Sequence, residues 1–401
     1  MKQKLQALLA DMNKGLVDRD QALKAALLTV LTGENLLLLG PPGTAKSLVS
    51  RRIAQHLGDN DGTATEAGPS RHFEYLLTKF STPEEIFGQL SISELKADRF
   101  HRNTAGYLPG TSLAFLDEIF KASSSILNAL LTILNERIFH NGNQVERVAL
   151  RSLIAASNEV PTHQEELAAL YDRFLMRIFV APVQEEHLHL LFNPVGEDHQ
   201  VNVTLTQDDL HAVDAATRQV TIPDTVGIAI REIWAAHKEA FKEDRREYLS
   251  DRRLVKLLKL LRVSAVTNER DAVDLSDLLL MQHCIWNHPD NIVKARELVT
   301  STLKKHSRLI PVDTKANEAP APQKYTQPGS RIKGFSGSGT ELDPILINTV
   351  EDLLNMDDPD ISKKSLYFLQ TADIDISSVN HWPALDFNGH YNGNGKKIIN
   401  T

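Results

Sequence analysis

The chain has 401 residues, 42% hydrophobic and 24% charged, with a formal net charge of −8. This composition is globular and long enough for two or three domains with their own cores, so it excludes a disordered tail. A single cysteine, Cys284, excludes a disulfide framework and a Cys-rich metal site and fits a reducing compartment, while the acidic balance leaves no strong nucleic-acid signal.

In chain order, residues 1–20 carry two lysines and scattered apolar residues broken by Gln6, Asp11 and Asn13, which reads as an amphipathic helix and not as a leader sequence. No apolar run approaches the roughly 18 to 20 residues of a membrane span, so the expectation is a cytoplasmic protein without membrane insertion. Residues 1–183 alternate short apolar runs with helical patterns, the signature of an α/β domain built on a mostly parallel sheet. Strands are expected at Asn35 to Leu39, Phe73 to Leu77, Leu113 to Leu116, Arg151 to Ala156 and Phe174 to Val180, each apolar on nearly every residue, as in strands covered on both faces. Helices are expected at Ala45 to Leu57 and Ser124 to Arg137.

Residues 184–310 read as a smaller all-helical domain, with Asp208 to Gln219 and Asp251 to Val266 the clearest amphipathic runs. Residues 311–340 hold Pro311, Pro320, Pro322 and Pro328 without apolar periodicity, the composition of an extended flexible linker. Residues 341–401 are rich in β-branched residues, Asn and Gly, and the dipeptides Asn388-Gly389, Asn392-Gly393 and Asn394-Gly395 predict tight strand-turn-strand units. The phrase FNGHYNGNG there resembles the opening coil of a parallel β-helix, and the segment reads as a truncated or partial coil of such a fold.

The chemistry concentrates in the first domain. GPPGTAKS, Gly40 to Ser47, follows an apolar strand and opens a helix. Gly40, Pro41, Pro42, Gly43, Thr44 and Ala45 form a loop whose amides, with the helix N-terminus at Lys46, Ser47 and Leu48, suit a phosphate; Lys46 can reach its outer oxygens and the Ser47 hydroxyl a Mg²⁺ ion. Ala45 stands where the usual version of this loop has its second glycine. LAFLDE, Leu113 to Glu118, brings Asp117 and Glu118 out at a strand end, Asp117 to order Mg²⁺ and Glu118 to polarise an attacking water. SLIAASN ends in Asn158, and ALYDRF sets Arg173 before a strand, where it can either stabilise charge on a neighbour's phosphate or pair internally with Asp172 or Glu166. Arg252, in LSDRR, opens a helix from which a guanidinium could reach back to a γ-phosphate.

GPPGTAKS, TKFSTPEEIFG at 78 to 88, LAFLDEIFKASSSILNALLTILNER, SLIAASNE and ALYDRF occur in the order found in MoxR-type AAA+ ATPases, which the chain resembles over about residues 1 to 300, the RavA subgroup most of all. The resemblance implies an AAA+ P-loop NTPase sheet in 5-1-4-3-2 order with a helix-2 insert at about 89 to 110 and an all-α lid. It implies an ATP hydrolase that uses ATP and Mg²⁺, assembles as a ring, usually a hexamer, and binds nucleotide between subunits and between the α/β domain and lid. Gly40, Gly43, Lys46 and Ser47 match the family's Walker A, where Ala often replaces the second glycine; Asp117 and Glu118 match Walker B, Asn158 sensor 1, Arg173 the arginine finger and Arg252 sensor 2. In the last of these the family shows S-P-R where this chain has Ser250-Asp251-Arg252.

The function so implied is chaperone-like remodelling or assembly of a protein partner, with a VWA-domain protein the expected one. Two rivals are a nucleic-acid-remodelling motor and a nucleotide-gated scaffold with little turnover. The first needs a basic stripe in the insert, where Lys96, Arg99 and Arg102 are offset by Glu94 and Asp98. His187 and His189 lie two apart and point to different helix faces, so they make no metal site. Cys284, Trp234 and Trp286 read as core residues, and 238 to 249 as a solvated helix face.

Overall fold

A computed structural model of the chain describes residues 1–58, 72–160, 169–192, 201–307, 339–340, 344–356, 366–376, 389–394 and 396–399. The chain falls into two compact units, Met1–Ile310 and Pro311–Thr401. The expected linker at 311–340 lies almost wholly outside the described residues.

The first unit opens with α1 (Lys2–Asn13) and α2 (Asp20–Thr32), then β1 (Leu36–Leu39) and α3 (Lys46–Gln55). β2 (His72–Leu76), α4 (Pro83–Phe87), α5 (Ile92–Leu95), β3 (Leu113–Asp117) and α6 (Ser124–Glu136) follow, then β4 (Ile138–Asn141), β5 (Gln144–Arg147), β6 (Ser152–Ser157) and β7 (Met176–Phe179). α1 is amphipathic as its sequence predicts, burying Leu5, Leu8 and Met12. Five strands form one sheet in the order β2-β3-β6-β1-β7, every neighbouring pair parallel. Numbered within the sheet alone, that is the expected 5-1-4-3-2 order. β1 and β6 are buried at every residue, because helices cover both faces of a parallel sheet and leave its central strands no contact with water.

One pair escaped the sequence reading. β4 and β5 form an antiparallel hairpin closed by Gly142 and Asn143, with Asn141 opposite Gln144. The signal was present in HNGNQ, an Asn-Gly turn between short apolar runs, but it follows a strong helix pattern directly. The insert leans on this hairpin: the Asn141 side chain accepts from the Arg102 amide at 2.6 Å and donates to the Arg102 carbonyl at 3.0 Å.

After β7 the chain is helical: α7 (Gln207–Thr217), α8 (Asp224–Ala240), α9 (Asp251–Thr267) and α10 (Ile292–Ser307). These helices share one continuous apolar core with the sheet, including Leu257, Leu260, Met281 and Trp286. α9 lies along α2, where Lys259 donates to the Thr32 carbonyl at 2.5 Å and Lys256 pairs with Glu34 at 2.7 Å. The stretch 238 to 249 is solvated at Lys238, Glu239, Lys242, Glu243, Arg246 and Tyr248, as expected, but it is not one helix and it buries Phe241, Glu247 and Leu249. α8 ends at Ala240, and Glu247, 2% exposed, accepts from the Asn287 and His288 amides at 2.7 and 2.8 Å, which satisfies the buried carboxylate.

In the second unit, β8 (Ile345–Ile347), α11 (Val350–Asn355), β9 (Leu366–Gln370), β10 (Ile374–Asp375), β11 (Gly389–Asn392) and β12 (Ile398–Ile399) surround a small core of Ile345, Ile347, Leu353, Met356, Phe368 and Ile374. Its described pairs, β11 with β9, β9 with β8 and β10 with β12, are all parallel. The Asn392-Gly393 dipeptide therefore turns a corner between strands that each pair with an earlier stretch of chain; it does not close a hairpin. The Asn388-Gly389 and Asn394-Gly395 turns lie partly outside the described residues.

His237, on α8, is 1% exposed. Burial, with Arg253 and Lys294 adding repulsion, pushes its imidazole down to about 4, whereas the unfolded chain protonates such a ring near pH 6.5. The neutral ring's stabilisation is complete above the unfolded value and is lost as the pH falls toward the folded one; His283, pushed to about 4 by burial, adds with the same sign. Urea midpoints of the full chain should thus drop between about pH 6.5 and about pH 4, and drop less steeply in His237→Phe; an equal slope in the variant would show that His237 is not a source of the acid sensitivity.

Candidate active site

The C-terminal ends of β1, β3 and β6 lie side by side at one edge of the sheet, because the strands are parallel and in register. Brackets of polar residues leave from each end. The loop after β1 is held closely: the Gly40 amide donates to the Ser157 carbonyl at 3.2 Å, and a Cβ on Gly40, whose φ is 148°, would sit 2.3 Å from the Val180 carbonyl oxygen. Only glycine fits there. Gly43 has φ 78° and would meet nothing within 4 Å, so the loop turns through the left-handed region facing open space. Thr44, buried, closes the turn by donating to the Pro41 carbonyl at 3.0 Å; Pro42 is exposed and Ser47 half-buried, and Leu48 is 37% exposed.

Lys46, the first residue of α3, is 6% exposed. Its ammonium donates to the carbonyls of Gly40 and Pro41, both at 2.8 Å, and to Asn158 Oδ1 at 2.9 Å. Burial pushes its pKa down, and the carboxylates of Asp117 and Glu118 partly offset this. Asn158 is bound on both ends of its amide, since Nδ2 donates to Glu118 Oε1 at 2.6 Å. The other Glu118 oxygen lies 3.4 Å from Lys121 Nζ. Asp117, half-buried at the end of β3, accepts from the Glu118 amide at 2.9 Å. The structure therefore brings Gly40, Lys46, Asp117, Glu118 and Asn158 into one charged cluster, with Lys46, Asn158 and Glu118 in a continuous hydrogen-bonded chain.

Two members of the cluster hold unusual backbone. Glu118 has φ 53° and Ala45 has φ 61°, both left-handed, a region that costs residues with a Cβ about 1 to 2 kcal/mol. Ala45 caps α3, and the missing glycine of the loop pattern falls on the residue whose conformation favours one.

Arg19 is a component that sequence reasoning missed. Buried to 5% exposure, it donates from Nε to the Thr44 carbonyl at 2.9 Å and from Nη1 to the Asp18 carbonyl at 2.7 Å, clamping the loop from the start of α2. Nothing local marks it, because the contact depends on α2 packing beside the loop. Asp18 accepts from the Gln184 amide at 2.9 Å and pairs with His187 at 2.6 Å, and these contacts hold its carboxyl below the usual range. His187 is thus engaged, and His189 Nδ1 lies 2.8 Å from the Glu186 carbonyl. Next to the clamp is a recess of about 210 Å³ lined by Asp18, Arg19, Phe179, Val180, Pro182 and Gln184. Cys284 is fully buried and burial pushes its thiol up to about 12, a core thiol.

Arg173 and Arg252 are not part of this cluster. The Leu175 amide donates to the Asn35 carbonyl at 3.1 Å, and Asn35 Nδ2 to the Arg173 carbonyl at 3.3 Å, so Arg173 leaves the sheet at the N-terminal end of β1. The phosphate-type loop leaves at the other end, roughly 16 Å away at about 3.3 Å per strand residue. Arg252, exposed at the start of α9, lies close enough to Arg173 to depress its pKa after burial has done so, and α9 anchors on Thr32 and Glu34 at the same end. Arg252 is therefore not positioned to reach back to its own chain's loop, as the sequence suggested. Asp251 in place of the usual proline is compatible with the fold: Ser250 caps α9 by accepting from the Arg253 amide, and an acidic residue suits a first turn.

Comparison with known proteins gives the following. The family profile described as the MoxR domain in the MoxR-vWA-beta-propeller ternary systems matches residues 3–217, and an AAA lid domain profile matches residues 228–299. An uncharacterized protein of Methanocaldococcus jannaschii is 38% identical over 309 residues, covering 77% of this chain and 76% of that one; a second from the same organism is 39% identical over 292 residues, covering 72% and 73%. A structural protein of Acidianus two-tailed virus is 29% identical over 180 residues, covering 44% of this chain and 28% of that one. Among solved structures, a candidate ATPase from Cytophaga hutchinsonii superposes with a TM-score of 0.57 at 20% identity, covering 76% of this chain and 94% of that one, a likeness of fold.

Replacing Ala45 with Gly relieves the left-handed backbone at the helix cap, and full-chain urea unfolding should show a stability gain of about 1 kcal/mol. A loss of stability would mean that the turn is not held in that conformation.

Proposed function

We propose, because the chain belongs to the MoxR family of AAA+ ATPases, that it binds and hydrolyses ATP at the edge where β1, β3 and β6 end, and uses the cycle to remodel or assemble a protein partner. The observation that carries this reading is the hydrogen-bonded chain from Lys46 through Asn158 to Glu118. It couples the residue suited to phosphate with the one suited to water, so that a γ-phosphate drawing Lys46 away from Asn158 alters what Glu118 can do.

The residues fit the ligand. The Lys46 ammonium spends its donors on loop carbonyls, which phosphate oxygens would replace with stronger, charge-assisted bonds, and Gly43 faces open space. The recess beside Arg19 is the place for the base; Gln21, on its rim, lies 3.2 Å from His283 of the helical region, in keeping with a nucleotide between an ATPase core at 1–183 and a lid at 184–310. A Mg²⁺ ion, when bound, would neutralise phosphate charge, held by Ser47 and Asp117 together with phosphate oxygens. Among the described residues no group of three or more His, Cys, Asp or Glu could hold a metal ion.

Arg173 and Arg252 leave the subunit at the end of the sheet opposite to its own loop. If they serve a phosphate, it is a neighbour's, which requires head-to-tail contacts; in our reading these close into a ring, a hexamer. The partner we propose is a VWA-domain protein, following the systems in which the matching MoxR domain is described. No helix among the described residues is long and apolar enough to cross a membrane, and we place the protein in the cytoplasm.

Glu118→Gln should lower kcat by about 10²-fold or more while ATP still binds, and Lys46→Ala should abolish binding measured by nucleotide fluorescence. Wild-type turnover in Glu118→Gln would refute the catalytic assignment. Arg173→Ala should also lower kcat by about 10³-fold, and mixing it with Lys46→Ala subunits should restore part of the activity, since each supplies what the other lacks across an interface.

A further inference from the structure

We infer that Arg253 keeps Arg173 available to a neighbouring subunit by occupying the Asp172 carboxylate that would otherwise hold the Arg173 guanidinium within its own chain. The inference rests on the proposed action of Arg173 across a subunit interface.

Asp172 and Arg173 are adjacent in the chain, and a carboxylate next to a guanidinium competes directly with any external phosphate for it. In this structure the competition is lost. Arg173 Nη1 lies 3.6 Å from Asp172 Oδ2, beyond a good hydrogen bond. Arg253 Nη2 approaches the other oxygen, Oδ1, at 2.5 Å, and the Ser250 hydroxyl donates to Oδ2 at 3.3 Å. Both come from the start of α9, so the helical region reaches across to the residue that precedes the arginine.

Arg253 is held at both terminal nitrogens, where Arg173 is not. Its side chain is 2% exposed against 16% for Arg173; its second terminal nitrogen donates to Asn287 Oδ1 at 2.7 Å, and its amide is fixed on the Ser250 hydroxyl at 3.2 Å. Asn287 is in turn held by the Arg246 and Tyr248 carbonyls at 2.7 and 3.0 Å. Among the described residues the Arg173 side chain has one ionic contact, the long one to Asp172, and neither terminal nitrogen is held by a short bond; the Nε atoms of both arginines are buried without a partner. A guanidinium held at both terminal nitrogens outcompetes one with a single long contact for a shared carboxylate, because it loses less side-chain freedom on pairing. Arg252, exposed nearby with the same sign, adds repulsion that favours Arg173 turning outward. Arg253 is a positioning residue in this scheme; it touches no substrate. Movement of α9 would change how firmly Asp172 is held, so the state of the helical region reads out in the reach of Arg173.

The test is a double-mutant cycle on the full chain, with steady-state kcat and KM for ATP and thermal melts on each protein. Arg253→Met keeps the stem and removes the charge; it should lower kcat by about tenfold with KM within about twofold, and adding Asp172→Asn should return most of the lost kcat because no carboxylate remains to capture Arg173. If Arg253→Met melts below the assay temperature, Arg253→Lys, which keeps the charge but not the forked contact, takes its place with a smaller loss and the same rescue. A double variant no more active than the single one, or a KM that rises as kcat falls, overturns the inference while Arg173→Ala remains inactive. Wild-type turnover in Arg173→Ala overturns it together with the proposed role of Arg173.

Discussion

Everything in the first unit depends on β1 being paired in parallel on both sides, Leu36 beside Ile154 and beside Met176. A four-residue strand with no exposed residue cannot slip, since a shift of one would move every side chain to the other face. The turn after Leu39 must therefore emerge where β3 and β6 also end. Gly40 then meets Ser157 and Val180 at distances that admit no side chain, and Lys46 comes within reach of Asn158. The charged cluster is a consequence of sheet register before it is a matter of particular side chains.

The same register separates the two sets of charges. Residues that follow the ends of β1, β3 and β6 gather at one edge; Asp172 and Arg173, which precede β7, and the start of α9 gather at the other. In the proposed reading, where Arg173 serves a neighbour's phosphate, the sheet carries one half of a site at each end, and head-to-tail contacts between subunits join the halves. The helical region is tied into that second edge through Lys256, Lys259 and Arg253.

Strain marks the first edge. Ala45 and Glu118 both sit in left-handed backbone, one at the cap of α3 and the other immediately past β3. The surrounding structure imposes these conformations: Arg19 fixes the carbonyl next to Ala45, and Glu118 is held by Asn158 and by its own link to Asp117. A backbone held against its preference keeps a side chain aimed without further contacts. At Glu118 this sets the direction of the carboxylate, toward Asn158 and Lys121.

Much of this was legible in the sequence, for definite reasons. Apolar runs bounded by GPPGTAKS, Asp117-Glu118 and Asn158 encode buried strands whose polar exits share an edge, and period and composition suffice for that because burial on both faces leaves a local trace. The parallel order, the lid profile and the helical spans followed. The β4–β5 hairpin was legible in HNGNQ and was overlooked against the stronger helix before it. What no local pattern carries is long-range partnership: Arg19 on the Thr44 carbonyl, Asn158 shared between Lys46 and Glu118, Arg253 on Asp172, and Arg252 on the far side of the sheet from the loop it was expected to serve. Residue types and their spacing along the chain decided which elements form and where their polar ends lie. Only the tertiary structure decided which of those ends meet, because contacts between residues dozens or hundreds of positions apart are set by register and packing, to which a sequence window is blind.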